Sequence, residues 1–485
     1  MAAPAVWRPP RLAWPLLGVL ALLLVWKLQP AKLEGHWMLA TPVAVALGVV
    51  ALRYLWEQPP AVTMCAALAL SIFSGAWGQM GLGNIPLNRL LALFVVAQCL
   101  LRAPGTATMP RLQLRSVHLL MGLTLLYAIG SAAAAGTLGS EKGFLGLWDT
   151  LGLMPYLLFL IAPAVFHGRR EREWLLITLL GLGAYLGLTA VFEIVGPHSL
   201  VFPRYIVSSD AITPGVLRAG GPFQSAVAEG CATYVCAVAA AIAFGLWRGQ
   251  RRQWLAAAAG LAALAGCFLT LERGVWLAAL LASIVVALAT RSGRRWLLPA
   301  LAAGAIVLAG VFAVSSTVSN SAGERANDER SVWDRESQIA AGLRMVEAKP
   351  LLGFGWNRYT SDSSDYFRQP WNYPLTGYVP GTIIGTPQIP QPLHSTYLAY
   401  AVELGLVGAL LWLASLLWAV GEGVFTRGPA EMRPWKLGLA AVALFVLTVI
   451  AVNPHEPPFA FVIVMVWAGV ALAGRQPRRT AVGVT

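Results

Sequence analysis

The chain has 485 residues, of which 57% are apolar and only 12% charged, with a mean hydropathy of +0.66. A water-soluble domain carries about a quarter charged residues, so the composition excludes one, and apolar runs of roughly 20 residues, enough to cross ~30 Å of hydrocarbon, recur throughout. The net charge of +13 and a pI near 9.9 invite a nucleic-acid reading, which the placement of the charge removes.

In chain order, Arg8 and Arg11 precede an apolar run from about Leu12 to Val25. No small-residue cleavage site follows, so it reads as a retained first span near 12–28 rather than a signal peptide. Further spans are expected near 38–55, 61–78, 88–101, 116–135, 144–166, 174–195, 224–247, 253–271, 273–290, 296–315, 394–419, 437–452 and 458–474. The expected architecture is an all-α polytopic membrane protein with about 14 transmembrane helices. About eleven lie in 1–315 and about three in 394–485, separated by one large extracytoplasmic loop, 316–393.

Alternate connecting segments hold 21 of the 35 Lys and Arg: Arg8/Arg11, Arg53, Arg102/Arg111/Arg115, Arg169/Arg170/Arg172, Arg248/Arg251/Arg252, Arg291/Arg294/Arg295, Arg427/Arg433/Lys436 and Arg475/Arg478/Arg479. The intervening short segments hold seven. Positive residues stay inside, so both termini are expected in the cytoplasm, and the basic pI encodes topology rather than nucleic-acid binding.

Two outer segments stand out. Segment 196–223 is rich in Pro and Gly and carries Arg204 and Arg218. In the long loop, Ile339, Leu343 and Val346 follow helical spacing, predicting a helix from about Arg330 to Ala348 that Lys349-Pro350 stops. Beyond it come Tyr366, Phe367, Trp371, Tyr373 and Tyr378 in a Pro- and Gly-rich stretch with no clear period. All five cysteines fall in apolar runs and are expected to be core residues, without disulfide or metal.

Ionisable residues within the expected spans (Arg89, Asp149, Glu193, Glu229, Arg273, Glu403) all fall in the outer half, which fits a cavity open to the outside. The alternative is a set of structural ion pairs, such as an acid against Arg273. A transporter of lipid-linked oligosaccharide or polysaccharide, the main alternative, should place polar groups near the midplane. Arg218 lies in Leu-Arg-Ala-Gly-Gly-Pro-Phe and Arg273 in Thr-Leu-Glu-Arg-Gly-Val-Trp-Leu. Facing one cavity, two guanidinium groups would suit a pyrophosphate. His394 stands where the long loop enters a span, placed to act as a base or merely to bond backbone at the interface. Glu403, nine residues on, would be on the opposite face of a regular helix and ~13 Å deeper. His36, His118, His167, His198 and His455 belong to no constellation, and no nucleotide-binding or metalloprotease motif occurs.

Three stretches together resemble the O-antigen ligase and O-antigen polymerase superfamily of bacterial envelope glycosyltransferases. They are Thr270–Leu277, with Glu272 where the family usually has Ser; Arg335–Tyr359, including Ala-Lys-Pro-Leu-Leu-Gly-Phe-Gly; and His394-Ser-Thr-Tyr-Leu with Glu403-Leu-Gly-Leu-Val-Gly. The resemblance implies a GT-C-like membrane enzyme, without metal or cofactor, in the bacterial cytoplasmic membrane. It implies transfer of a glycan from an undecaprenyl-pyrophosphate carrier to an acceptor hydroxyl of a glycan or lipid. Arg218, Arg273 and Arg335 would then hold the pyrophosphate, with Glu403 beside the substrate, and His394 would serve as the base.

Overall fold

The computed structural model describes residues 48–50, 52–80, 86–102, 112–208, 218–291, 293–295, 298, 330–367, 392–453 and 458–473. Among them every regular element is helical. In chain order the helices are α1 (Pro60–Ser71), α2 (Leu87–Leu101), α3 (Ser116–Ala134), α4 (Glu141–Leu145), α5 (Leu153–Val165), α6 (Arg169–Ile194), α7 (Ala226–Leu246), α8 (Arg252–Leu269), α9 (Arg273–Leu288), α10 (Arg330–Ala348), α11 (Tyr359–Asp362), α12 (Ser364–Phe367), α13 (Thr396–Phe425), α14 (Arg433–Val452) and α15 (Pro458–Leu472). A π-helical stretch, Gly146–Leu151, joins α4 to α5 as one span.

Seven of these helical stretches are long and apolar enough to cross a membrane, and α1, α2, α9 and α15 are shorter apolar helices. The span expected at 12–28, all of 296–315 but residue 298, and more than half of 38–55 lie outside the described residues. The outward faces carry Leu119, Leu126, Trp254, Leu255, Leu261, Leu277 and Leu410, all more than 60% exposed. In water such a coat would be a large adhesive surface; against acyl chains it is the matching solvent. The protein is a helical membrane protein.

At the centre stands α15, packed against α5, α7, α13 and α14. It is apolar all round and buried all round, from Phe459 to Leu472, as a helix without a polar stripe should be. Beside this core α6, α7 and α8 pack together. Small residues set the spacing: Gly187 of α6 faces Gly266 of α8, and Gly183 faces Ala263 and Cys236. Close backbone approach of this kind is how helices associate where lipid supplies no hydrophobic drive. All five cysteines are buried, in α1, α2, α7 and α8.

Ion pairs tie the basic segments to one another at one end of the bundle. Arg115 pairs with Glu422 at 2.9 Å, Arg172 with Glu431 at 2.9 Å, and Arg252 with Glu173.

Helix α13 is broken. Gly405 has φ +68 and ψ 177, a backbone open to glycine and strained for other residues. A break in a span orphans backbone groups that lipid cannot satisfy. Here the segment after α10 and one side chain of α3 supply the partners. Phe354 N–H donates to Val402 O (2.9 Å) and Gly355 N–H to Glu403 O (2.8 Å), while Leu406 N–H donates to Pro350 O (2.8 Å). Leu404 O accepts from the Tyr127 hydroxyl at 2.8 Å. The motif Pro-Leu-Leu-Gly-Phe-Gly is therefore a plug for the break in Glu-Leu-Gly-Leu-Val-Gly. Farther on, Trp356 anchors the segment between α3 and α4, its ring N–H on Gly143 O (2.9 Å) and its backbone N–H on Ser131 Oγ (3.1 Å).

Helix α10 occupies the predicted range, with a different buried face. Ile339 and Leu343 point away from the bundle, 38% and 51% exposed, and only Val346 of the predicted stripe packs inward. The buried face is Ser337, Gln338, Ala341 and Met345. It lies on the start of α13, where Gly342 leaves room for Leu393 and Leu398. Tyr366 meets the edge of Phe354, and Phe367 is buried, so these two aromatics build the loop's own core. Trp371, Tyr373 and Tyr378 lie outside the described residues.

Candidate active site

Three buried residues, Thr270, Leu271 and Glu272, turn the chain from α8 into α9. The Thr270 hydroxyl donates back to Cys267 O at 2.8 Å. Leu271 takes a left-handed φ of 48°, uncommon for a branched side chain. From the far side Trp276 stacks on Phe268, ring centroids 5.0 Å apart, and its indole N–H donates to Phe268 O at 3.1 Å. Side chains on both helices thus brace the turn, and Glu272 inherits a fixed position.

The carboxylate of Glu272 joins two of the predicted arginines. Its Oε2 lies 3.1 Å from Arg218 Nη1 and its Oε1 lies 3.2 Å from Arg335 Nη2. The Glu272 side chain is 5% exposed, against 27% and 30% for the two arginines. Arg218 is positioned through its neighbours. Ala219 N–H donates to Leu269 O at 3.0 Å, and the Glu193 carboxylate accepts from Gly220 N–H (3.1 Å) and Gly221 N–H (3.0 Å). Nearby, Tyr205 donates to Pro222 O at 2.8 Å, and burial holds its phenol well above the ordinary range, so it stays a donor.

His394 is oriented by a residue the sequence did not single out. Gln338 Oε1 accepts from the His394 backbone N–H at 3.1 Å and lies 2.6 Å from Nδ1. An amide oxygen only accepts. Nδ1 therefore carries a proton, and in the neutral ring the basic lone pair is on Nε2. Gln338 is itself 1% exposed, so this arrangement is fixed by packing.

Arg335 and Gln338 are three residues apart on α10, neighbours on one helix face. One turn of α10 thus holds the arginine–carboxylate cluster at one residue and the imidazole at the next. Asn453 at the end of α14 closes the arrangement: its backbone oxygen accepts from Thr396 Oγ1 (3.3 Å), and its side chain lies over Gly274. Residues far apart in the chain meet at the end of the bundle away from the basic clusters.

The O-antigen ligase family model matches residues 258–413. That stretch of the chain is similar to the O-antigen ligase family. No curated protein matches the chain.

The matched stretch runs from within α8 to within α13 and contains Glu272, Arg273, Arg335, Gln338, His394 and Glu403, while Arg218 enters from outside it. Arg273 opens α9 beside the cluster with its side chain exposed. Glu403 takes part in the plug, accepting from Tyr359 N–H at 3.3 Å. Of the other outer-half acids, Asp149 pairs with Arg89 Nε at 3.0 Å, and Glu193 holds the Arg218 segment. His118, His167 and His198 each bond backbone groups, as interfacial histidines do; His36 and His455 lie outside the described residues. Sequence reasoning noted Glu272 only as a departure from the family's usual Ser and passed over Gln338. The one available signal was the three-residue spacing of Arg335 and Gln338 on a predicted helix.

Proposed function

We propose that the chain is a GT-C-like membrane glycosyltransferase, of O-antigen ligase or polysaccharide polymerase type. It moves a glycan from an undecaprenyl-pyrophosphate carrier onto an acceptor hydroxyl at the outer face of the cytoplasmic membrane. The observation that carries this reading is the junction on α10, where Gln338, bonded to the His394 imidazole, stands one helical turn from Arg335, which meets Arg218 through Glu272.

Each group has a chemical task. His394 Nε2 takes the proton of the acceptor hydroxyl as its oxygen attacks the anomeric carbon. The bond from that carbon to the phosphate oxygen breaks, and the lipid pyrophosphate leaves with the electron pair. Arg218 and Arg335, joined by Arg273 from the start of α9, stabilise the charge that develops on the leaving oxygens. The imidazolium formed keeps its Nδ1 proton on Gln338 and returns the other to solvent.

The test is transfer from a purified undecaprenyl-pyrophosphate glycan, run beside donor binding. A positioned base contributes about 10²–10⁴-fold, so His394→Ala should lower transfer by that order and leave donor binding intact. Loss of binding together with transfer would make His394 a binding residue. Unchanged transfer would make it an interfacial histidine only.

A further inference from the structure

Glu272 has no task in that mechanism. A site for an anionic donor needs positive charge, yet a buried carboxylate stands between two of its arginines. We infer that Glu272 is a resident counter-ion, which occupies the place of a donor phosphate between Arg218 and Arg335 and opposes retention of the pyrophosphate product. The inference rests on the reading that these arginines hold the donor's pyrophosphate.

A carboxylate and a phosphate offer a guanidinium the same kind of acceptor oxygens at similar distances. Glu272 gives one oxygen to each arginine, which is how a bridging phosphate group would be shared. The two arginines come from separate elements, the segment before α7 and helix α10. Two guanidinium groups brought together without an anion repel; with Glu272 between them, α10 is drawn to the α8–α9 turn before any donor arrives.

Burial decides which partner moves. Glu272 is 4% exposed on a turn braced from both sides, whereas both arginine side chains reach the surface. An arriving pyrophosphate therefore draws the guanidinium groups toward itself, and the carboxylate stays behind as a like charge. At about 5 Å and an effective dielectric near 20, such repulsion weakens the binding of one negative charge by roughly a few hundredfold. It acts unequally on donor and product. Cleavage of the sugar–phosphate bond leaves an added negative charge on the lipid pyrophosphate, so the product is repelled more than the donor and is released sooner.

Inorganic pyrophosphate, titrated calorimetrically into the full chain in detergent, tests this. Glu272→Gln should bind it about tenfold tighter or more, and should melt lower than wild type without it and recover when it is added. Equal or weaker binding by Glu272→Gln would make the carboxylate a brace and overturn the inference. If Glu272→Gln and Glu272→Ser fold only in pyrophosphate-containing buffer, the counter-ion role stands; failure to fold in either buffer overturns it. Arg218→Gln and Arg335→Gln form the control arm and should weaken wild-type binding. If they do not, the donor-site reading itself fails, and this inference with it.

Discussion

At Gln338 one amide oxygen settles which nitrogen of His394 is basic. The consequence is testable through pH. Gln338→Glu still accepts both N–H groups but adds a negative charge beside the ring, which favours the imidazolium and raises its pKa. The base then stays protonated to higher pH, so the acidic limb of the pH–rate profile should move upward. Gln338→Leu removes the acceptor, and kcat should fall about tenfold or more while donor binding holds. An unshifted profile in Gln338→Glu would separate Gln338 from the chemistry. If Arg273 serves the donor clamp as proposed, Arg273→Lys, which keeps the charge and loses the planar fork, should lower transfer about tenfold, on the order of 1.4 kcal/mol, with normal protein levels on a blot. Wild-type transfer in Arg273→Lys would remove it from the donor clamp. Residue identities at this site were largely readable, because arginine and histidine are conspicuous at the ends of apolar spans. Glu272 and Gln338 were not, since a polar residue in a loop acquires meaning only from what folding places against it.

Among the elements, α13 and the segment that plugs it form one unit. Gly405→Ala would place a side chain at φ +68 and against the Leu351 carbonyl. Strain of this kind costs about 1–3 kcal/mol, so the variant should melt at a lower temperature in detergent and lose transfer as its site loosens. Gly421, in the same helix with open space around it, is the control: Gly421→Ala should leave melting nearly unchanged. Hydropathy located α13 because span length is a local property of the chain. It did not locate the break, because Gly405, Gly408 and Gly421 look alike in sequence and only the distant residues 350–355 distinguish them. Likewise the period of Ile339, Leu343 and Val346 revealed that α10 exists. It misplaced the buried face, because the contact with α13 favours small and polar side chains over bulky ones.

For the whole molecule the charge pattern and the site make one prediction. The segments tied by Arg115–Glu422, Arg172–Glu431 and Arg252–Glu173 should face the cytoplasm, and α10 to α12 the outside. Position 365 in α12 and position 430 before α14 are both exposed, and the native cysteines are buried. Asp365→Cys should react with an impermeant thiol reagent in intact cells, and Ala430→Cys only after permeabilisation. The reverse pattern would invert the molecule and move the site to the wrong side for its donor.

The plug also has a meaning in time. Residues 350–355 are synthesised before Gly405, so the piece that completes α13 leaves the ribosome ahead of the helix it completes. A nascent α13 entering the membrane finds its missing backbone partners already made, and its gap need never face lipid. Transposing the two segments would keep every contact available to the finished protein and withdraw that head start, leaving a span to insert with its gap open.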